Sequence, residues 1–118
     1  KDKIIRVEEE NTNDADVVVC SYGSSARIAE WAIREARTKG IKVGKLRLIT
    51  VWPFPEEQVR AIAKKIKAFV VPEINNGQIS LEVERCAAGN ARVVNVPHMG
   101  GAAHNPQDIL DAIMKAAR

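Results

Sequence analysis

Aromatic side chains are scarce in this chain: two Trp, one Tyr and two Phe make up 4% of its 118 residues. So thin a supply excludes the stacking platform on which single-stranded nucleic acid is held. Cysteine is scarcer still. Cys20 and Cys86 are the only two, too few to ligate an iron–sulfur cluster and no sign of a secreted disulfide framework. Neither a disulfide nor a reactive thiol is expected, although Cys20 precedes a helix start, where a thiolate would be favoured. The bland reading makes it a small hydrophobe in a buried strand. His98 and His104 are the only histidines and have no third ligand at an obvious spacing, so a metal centre is not expected. Charge of one sign is lacking as well. Eighteen Lys and Arg against 15 Asp and Glu leave a net charge of +3, dispersed along the chain, which is too weak to argue for nucleic acid. No apolar run approaches the roughly 20 residues of a membrane span, and Lys1-Asp2-Lys3-Ile4-Ile5-Arg6 has no signal-peptide core. The dinucleotide and Walker glycine patterns, the nucleophile elbow and a paired-carboxylate signature are all missing. No catalytic, cofactor-binding or metal-ligating residue is therefore expected.

What is there is a core. Hydrophobic residues make up 46% of the chain and charged ones 28%, which suits one domain over residues 1–118. Val17-Val18-Val19-Cys20 lacks polar alternation, as a strand covered on both faces does. Tyr22-Gly23-Ser24-Ser25 then makes a turn with hydroxyl caps. Ile28, Ala29, Trp31, Ala32, Ile33 and Ala36 follow at helical spacing, and Gly40 stops the helix. Lys3 to Val7 reads as a short edge strand and Glu8 to Asp16 as a polar loop. Lys42 to Ile49 is a second inner strand, Val51 to Pro55 a proline-held loop, and Pro55-Glu56-Glu57 opens a helix. Ala68 to Val71 is a strand, about Gln78 to Ala88 a helix, and Ala91 to Val96 the last strand. Asn105 and Pro106 then cap the final helix. One strand followed by repeated βα units predicts a mainly parallel sheet with helices on both faces.

Ligands of an open α/β sheet lie beyond the carboxyl ends of its strands, and the loops there hold the unusual residues. Tyr22, Gly23, Ser24 and Ser25 could cradle a phosphate or carboxylate on helix N–H groups, or be a plain capped turn. Trp52 and Phe54, held by Pro53 and Pro55, are costly to leave in water and read either as interface anchors or as core. Glu73, Asn75, Asn76 and Gln78 form either a polar site or a loop that bonds its own backbone. His98 stands in the glycine-rich run Pro97 to His104.

At these loops the sequence resembles a known family. Ala15 to Arg27, Leu46 to Pro55, Phe69 to Gln78, and Val96-Pro97-His98-Met99-Gly100-Gly101 with Asn105-Pro106 are similar to the C-terminal domain of the alpha subunit of 2-oxoacid:ferredoxin oxidoreductases. The likeness is greatest to the 2-oxoglutarate and branched-chain 2-oxoacid members. The resemblance implies a three-layer α/β/α fold like the transketolase C-terminal domain. Its mostly parallel five-stranded sheet would have the order 1-3-2-4-5, with strand 1, here Lys3 to Val7, antiparallel. It also implies a cytoplasmic enzyme that decarboxylates a 2-oxoacid on thiamine diphosphate with Mg2+, passes electrons through iron–sulfur clusters to ferredoxin, and releases an acyl-CoA. The cofactors belong to the whole enzyme and none to this chain. The expected part is a non-catalytic docking domain, a C-terminal piece of a larger subunit whose partners are its other domains and subunits. The loop residues named above are the candidate contacts. A stand-alone small-molecule or anion-binding domain is the alternative.

Overall fold

The computed structural model describes residues 7–22, 25–48, 54–72, 78–96 and 105–117. Its elements are β1 (Val7–Glu10), β2 (Val17–Tyr22), α1 (Ser25–Thr38), β3 (Val43–Leu48), α2 (Glu56–Ala63), β4 (Ala68–Pro72), α3 (Gln78–Ala87), β5 (Arg92–Val96) and α4 (Pro106–Ala117). They form one five-stranded sheet of order β1-β3-β2-β4-β5. β1 runs antiparallel to β3, and the remaining pairs are parallel. This is the expected mixed sheet in strand order and direction.

The order of the strands dictates the layers. From β2 the chain steps outward to β3, then crosses back over β2 to β4 and continues to β5. Right-handed crossovers in opposite directions must lie on opposite faces. α2 and α3 accordingly cover one face and α1 with α4 the other. Val18, Cys20, Leu46, Leu48, Phe69 and Val71 pack with Val59, Ile62, Val83 and Cys86 on the first face. Val17, Val19, Val43, Ala68 and Val70 pack with Ala29, Ala32, Ile33, Ile109 and Ile113 on the second. The alternate residues of β2 thus serve opposite cores, which is why its sequence shows no polar alternation.

Helix ends follow local chemistry. Asn105 Oδ1 accepts a hydrogen bond from the Gln107 N–H at 2.9 Å, the cap expected at α4. At the end of α1, Gly40 has φ +85 and its N–H reaches Arg37 O, while the Ile41 N–H reaches Ala36 O. These paired bonds are the Schellman arrangement that a glycine makes cheap. Arg92 and Lys67 donate to the Ala116 and Ala117 carbonyls at the end of α4, where the helix dipole favours cations.

Two expectations need correction, and one open alternative is decided. β1 lies at Val7–Glu10, so Glu8 to Glu10 are strand and not loop; Lys3 to Arg6 lie outside the described residues. An edge strand bonds on one side only and tolerates charge. Here Glu8 meets Arg47 at 3.4 Å and Glu10 meets Lys45 at 3.7 Å across the β1/β3 ladder. Trp31 does not join the inward stripe of α1 and is 39% exposed. At about 100° per residue it falls roughly opposite Ala29, Ala36 and Ile33. Phe54 is 4% exposed and belongs to the core beside Val59 and Ile62, because the start of α2 turns it inward.

Candidate functional site

β2, β3, β4 and β5 are parallel, so their carboxyl ends, Tyr22, Leu48, Pro72 and Val96, share one rim of the sheet. All four helices start there, at Ser25, Glu56, Gln78 and Pro106. The rim therefore collects the positive ends of the helix dipoles and the connecting loops.

Within that rim the pairing shows where a crevice opens. β2 and β4 are in register from Val17–Ala68 to Val19–Val70 and no further. On its other side β2 stays paired with β3 as far as Tyr22–Leu48. β4 stays paired with β5 as far as Pro72–Val96. Pro72 has no N–H to offer a ladder. The chain leaves β2 for α1 on one face and leaves β4 for α3 on the other. That divergence is the switch point at which open α/β sheets take their ligands and contacts. Beside it, Ser21 is 1% exposed, and its Oγ has no hydrogen-bond partner among the described residues.

The predicted contact residues distribute unevenly over this rim. Tyr22 is half-buried at the end of β2 and packs against the α2/α3 core. Ser25 and Gln78 are the first residues of α1 and α3. Phe54 is core, as described. Gly23, Ser24, Trp52, Pro53, Glu73, Asn75, Asn76 and His98 lie outside the described residues, as does His104. Sequence reasoning missed Ser21; its signal was a hydroxyl in an otherwise apolar strand.

The titratable groups shifted from their ordinary values all have structural causes. The hydrogen bond from Lys45 Nζ at 3.1 Å, then that lysine's charge, holds the Glu30 carboxyl below the usual range. Glu82 and then Glu56 raise the Arg85 guanidinium further; the Glu82 contact at 2.7 Å lies within α3, and the Glu56 contact at 3.3 Å ties α3 to α2. Burial pushes the Cys86 thiol up. Cys20 is completely buried in the same apolar cluster, so it is packing and no accessible nucleophile.

Of the groups that the resemblance implies, an iron–sulfur cluster and a metal can be set against the described residues. Two core cysteines cannot ligate an iron–sulfur cluster. Among the described residues no group of three or more His, Cys, Asp or Glu could hold the metal that accompanies a diphosphate. Among them also no helix is long and apolar enough to cross a membrane.

An open α/β sheet with apolar cores on both faces and a rim of loops is a domain of the class that presents contacts at its strand ends. Comparison with known proteins narrows the class. The chain belongs to the family described as pyruvate:ferredoxin oxidoreductase core domain II, whose profile matches residues 15–109. It is 44% identical over 118 residues to 2-oxoglutarate synthase subunit KorA of Methanothermobacter thermautotrophicus, covering 100% of this chain and 31% of that protein. It is 40% identical over 113 residues to ketoisovalerate oxidoreductase subunit VorB of Methanothermobacter marburgensis, covering 96% of this chain and 32% of that one. The chain thus spans about a third of the length of these curated relatives. Among solved structures, the 2-oxoglutarate:ferredoxin oxidoreductase of Magnetococcus marinus, determined with 2-oxoglutarate, coenzyme A and succinyl-CoA bound, superposes with a TM-score of 0.80. The match is 24% identical and covers 98% of this chain and 20% of that one, and it shows the same fold.

Proposed function

We propose that this chain is a non-catalytic docking domain, C-terminal in the alpha-type subunit of a cytoplasmic, thiamine diphosphate-dependent 2-oxoacid:ferredoxin oxidoreductase. The observation that carries the reading is the alignment of the whole chain with only 31% of a relative named as a 2-oxoglutarate synthase subunit. In the whole enzyme the bond from the acyl carbon to the carboxylate breaks, carbon dioxide leaves, an electron pair passes to ferredoxin, and the acyl group passes to coenzyme A. The domain's own part is to hold its rim against the thiamine-binding domain or a partner subunit. Tyr22 to Ser25, Trp52, Pro53 and the polar residues Glu73, Asn75, Asn76, Gln78 and His98 supply the contacts, and Trp52 is the anchor. Thiamine diphosphate, Mg2+ and iron–sulfur clusters are held elsewhere in the assembly.

The test is turnover. Purified alone, the domain is expected to release no acyl-CoA from 2-oxoglutarate or a branched-chain 2-oxoacid with coenzyme A and ferredoxin. Turnover by the isolated domain refutes the reading. In the assembled enzyme, Trp52→Ala is expected to weaken assembly in size-exclusion chromatography; unchanged assembly removes the anchor.

The β2/β4 crevice with its buried Ser21 hydroxyl favours one second reading, an anion-binding domain that works by itself. Micromolar binding of phosphate, a nucleotide or coenzyme A would stabilise the domain by several kcal/mol at millimolar ligand. Unchanged melting with all of them disposes of it.

A further inference from the structure

We propose that the outer face of α1 and the adjoining edge of the sheet form a second docking surface, which receives a carboxylate-bearing segment from another domain of the same subunit. The proposal rests on reading the chain as part of a larger subunit and places a contact apart from the strand-end rim. Glu10 pairs with Lys45 midway along β3 and Trp31 stands midway along α1, so this surface lies on the β1 flank of the sheet.

Trp31 is 39% exposed on the face of α1 turned away from the sheet. The one other large apolar side chain exposed among the described residues is Leu81 on α3, in the opposite layer. Along α1 from Trp31, Glu30, Ile33, Arg34 and Arg37 line a cleft of about 310 Å3 together with Glu10, Asn11 and Lys45. The cleft exists because α1 packs on β2, β3 and α4, leaving this face of the edge strand β1 uncovered.

Charge decides what the cleft takes. The Lys45 side chain is 8% exposed and is neutralised from within, with Nζ 3.1 Å from Glu30 and 3.7 Å from Glu10. The Arg37 guanidinium donates to the Val43 carbonyl. Arg34 is exposed and has no hydrogen bond or ion pair among the described residues. Glu30, one turn before it, is engaged by Lys45. The charge of Arg34 acts on Glu30 only after the closer Lys45, so the lining presents an arginine fork with no hydrogen-bond or salt-bridge partner among the described residues, three residues from an exposed tryptophan on the same helix face. Tryptophan and arginine are the side chains most enriched at the centres of interfaces, and the fork matches a carboxylate. The occupant follows from length. This chain covers 31% of the KorA relative, so more than two-thirds of such a subunit lies outside the domain and must find surface to pack on.

The experiment uses the full-length subunit carrying Arg34→Lys, treated with a carbodiimide that joins amines to carboxylates in contact. Peptide mass spectrometry reads the joined residues, and a Lys45–Glu30 link is the internal control. The new amine is expected to join an Asp or Glu of the same polypeptide outside residues 1–118, to the same extent on dilution. Trp31 of the unaltered subunit is expected to lose several-fold in hydroxyl-radical oxidation relative to an exposed tryptophan. Links confined to residues 1–118, links to another subunit, or no link beside an intact control overturn the proposal, as does full oxidation of Trp31. These failures leave the rim reading standing, because that reading falls on turnover by the isolated domain and not on this link.

Discussion

Gly44→Ala tests the join between the edge strand and the rest of the sheet. Gly44 lies in β3 beneath the point where the chain leaves β1. A Cβ there would stand 2.7 Å from Asn11 O and 3.1 Å from both Asn11 C and Glu10 O. Those atoms are backbone, and they are held from both sides. Glu10 is in register with Lys45. Thr12 is 5% exposed, and its hydroxyl donates to Glu9 Oε1 at 3.0 Å. Asn11 itself sits at φ +57, a conformation that asparagine tolerates better than most residues. Replacing glycine by alanine would by itself add about 0.4–1 kcal/mol through the unfolded chain. Forcing a methyl against fixed atoms costs about 1–3 kcal/mol, toward the upper end where backbone must shift. The net expectation is about 1–2 kcal/mol of destabilisation, or roughly 4–8 °C in melting temperature for a domain of this size. Thermal unfolding followed by circular dichroism measures it, and hydrogen exchange should show β1 amides losing protection first. In a double-mutant cycle, Asn11→Gly should relieve part of the cost by freeing the clashing peptide. A Gly44→Ala protein that melts at or above the parent temperature refutes the reasoning.

Phe54→Ala should destabilise the domain by about 3–5 kcal/mol in urea unfolding, as emptying a packed aromatic site does. Trp52→Ala should leave the isolated domain's stability within about 1 kcal/mol if Trp52 is a contact residue; equal losses would make both of them core. The folded-state pKa of Glu30 is depressed, so its pairing with Lys45 adds stability that is full above the unfolded pKa of about 4.3 and is lost as pH falls through the folded value. Glu30 is half-exposed, which holds that loss below about 1 kcal/mol. Acid titration of Glu30→Gln should therefore be flatter than the parent, and identical profiles would dissolve the pair. Cys20 and Cys86 should resist a thiol reagent in the folded domain and react together on unfolding, so rapid labelling of either one without denaturant contradicts their burial.

Most of the fold was legible because its signals are local. The unbroken apolar run of Val17 to Cys20 marks a strand used by two cores, and the i, i+3, i+4 spacing of Ala29, Ala32, Ile33 and Ala36 marks the buried stripe of α1. Asn105 and Gly40 announce helix ends by their own chemistry. What was missed is non-local. Glu8-Glu9-Glu10 reads as loop until Arg47 and Lys45 are placed opposite it. Gly44 reads as an imperfection in a strand until Asn11 is laid across it. The spacing that finds the stripe of α1 also admits Trp31 unless each angle is worked out, and only the start of α2 decides whether Phe54 points in or out. The rim itself followed from alternation of strands and helices, since parallel strands must bring their ends together. Its crevice did not, because the halt of β2/β4 pairing at Val19 and Val70 depends on the path of both strands.

The shifted groups of this domain have structural causes. A catalytic acid or base is expected where burial and a specific partner shift a group inside a cleft. Here the shifted carboxylate, Glu30, is drawn down by a lysine that it helps to bury, and the shifted thiol lies in an apolar core. Both perturbations are consequences of holding α1 and α3 onto the sheet. The outward groups are Arg34 and Trp31 on the outer face of α1, and the helix starts at the strand-end rim. Contacts made at these two surfaces would share no side chain, so their energies should add. On the proposed reading, a domain held at two surfaces resists rotation that a single contact would allow. That resistance is what a neighbouring active site needs from a support, since positions there must hold to a fraction of an ångström.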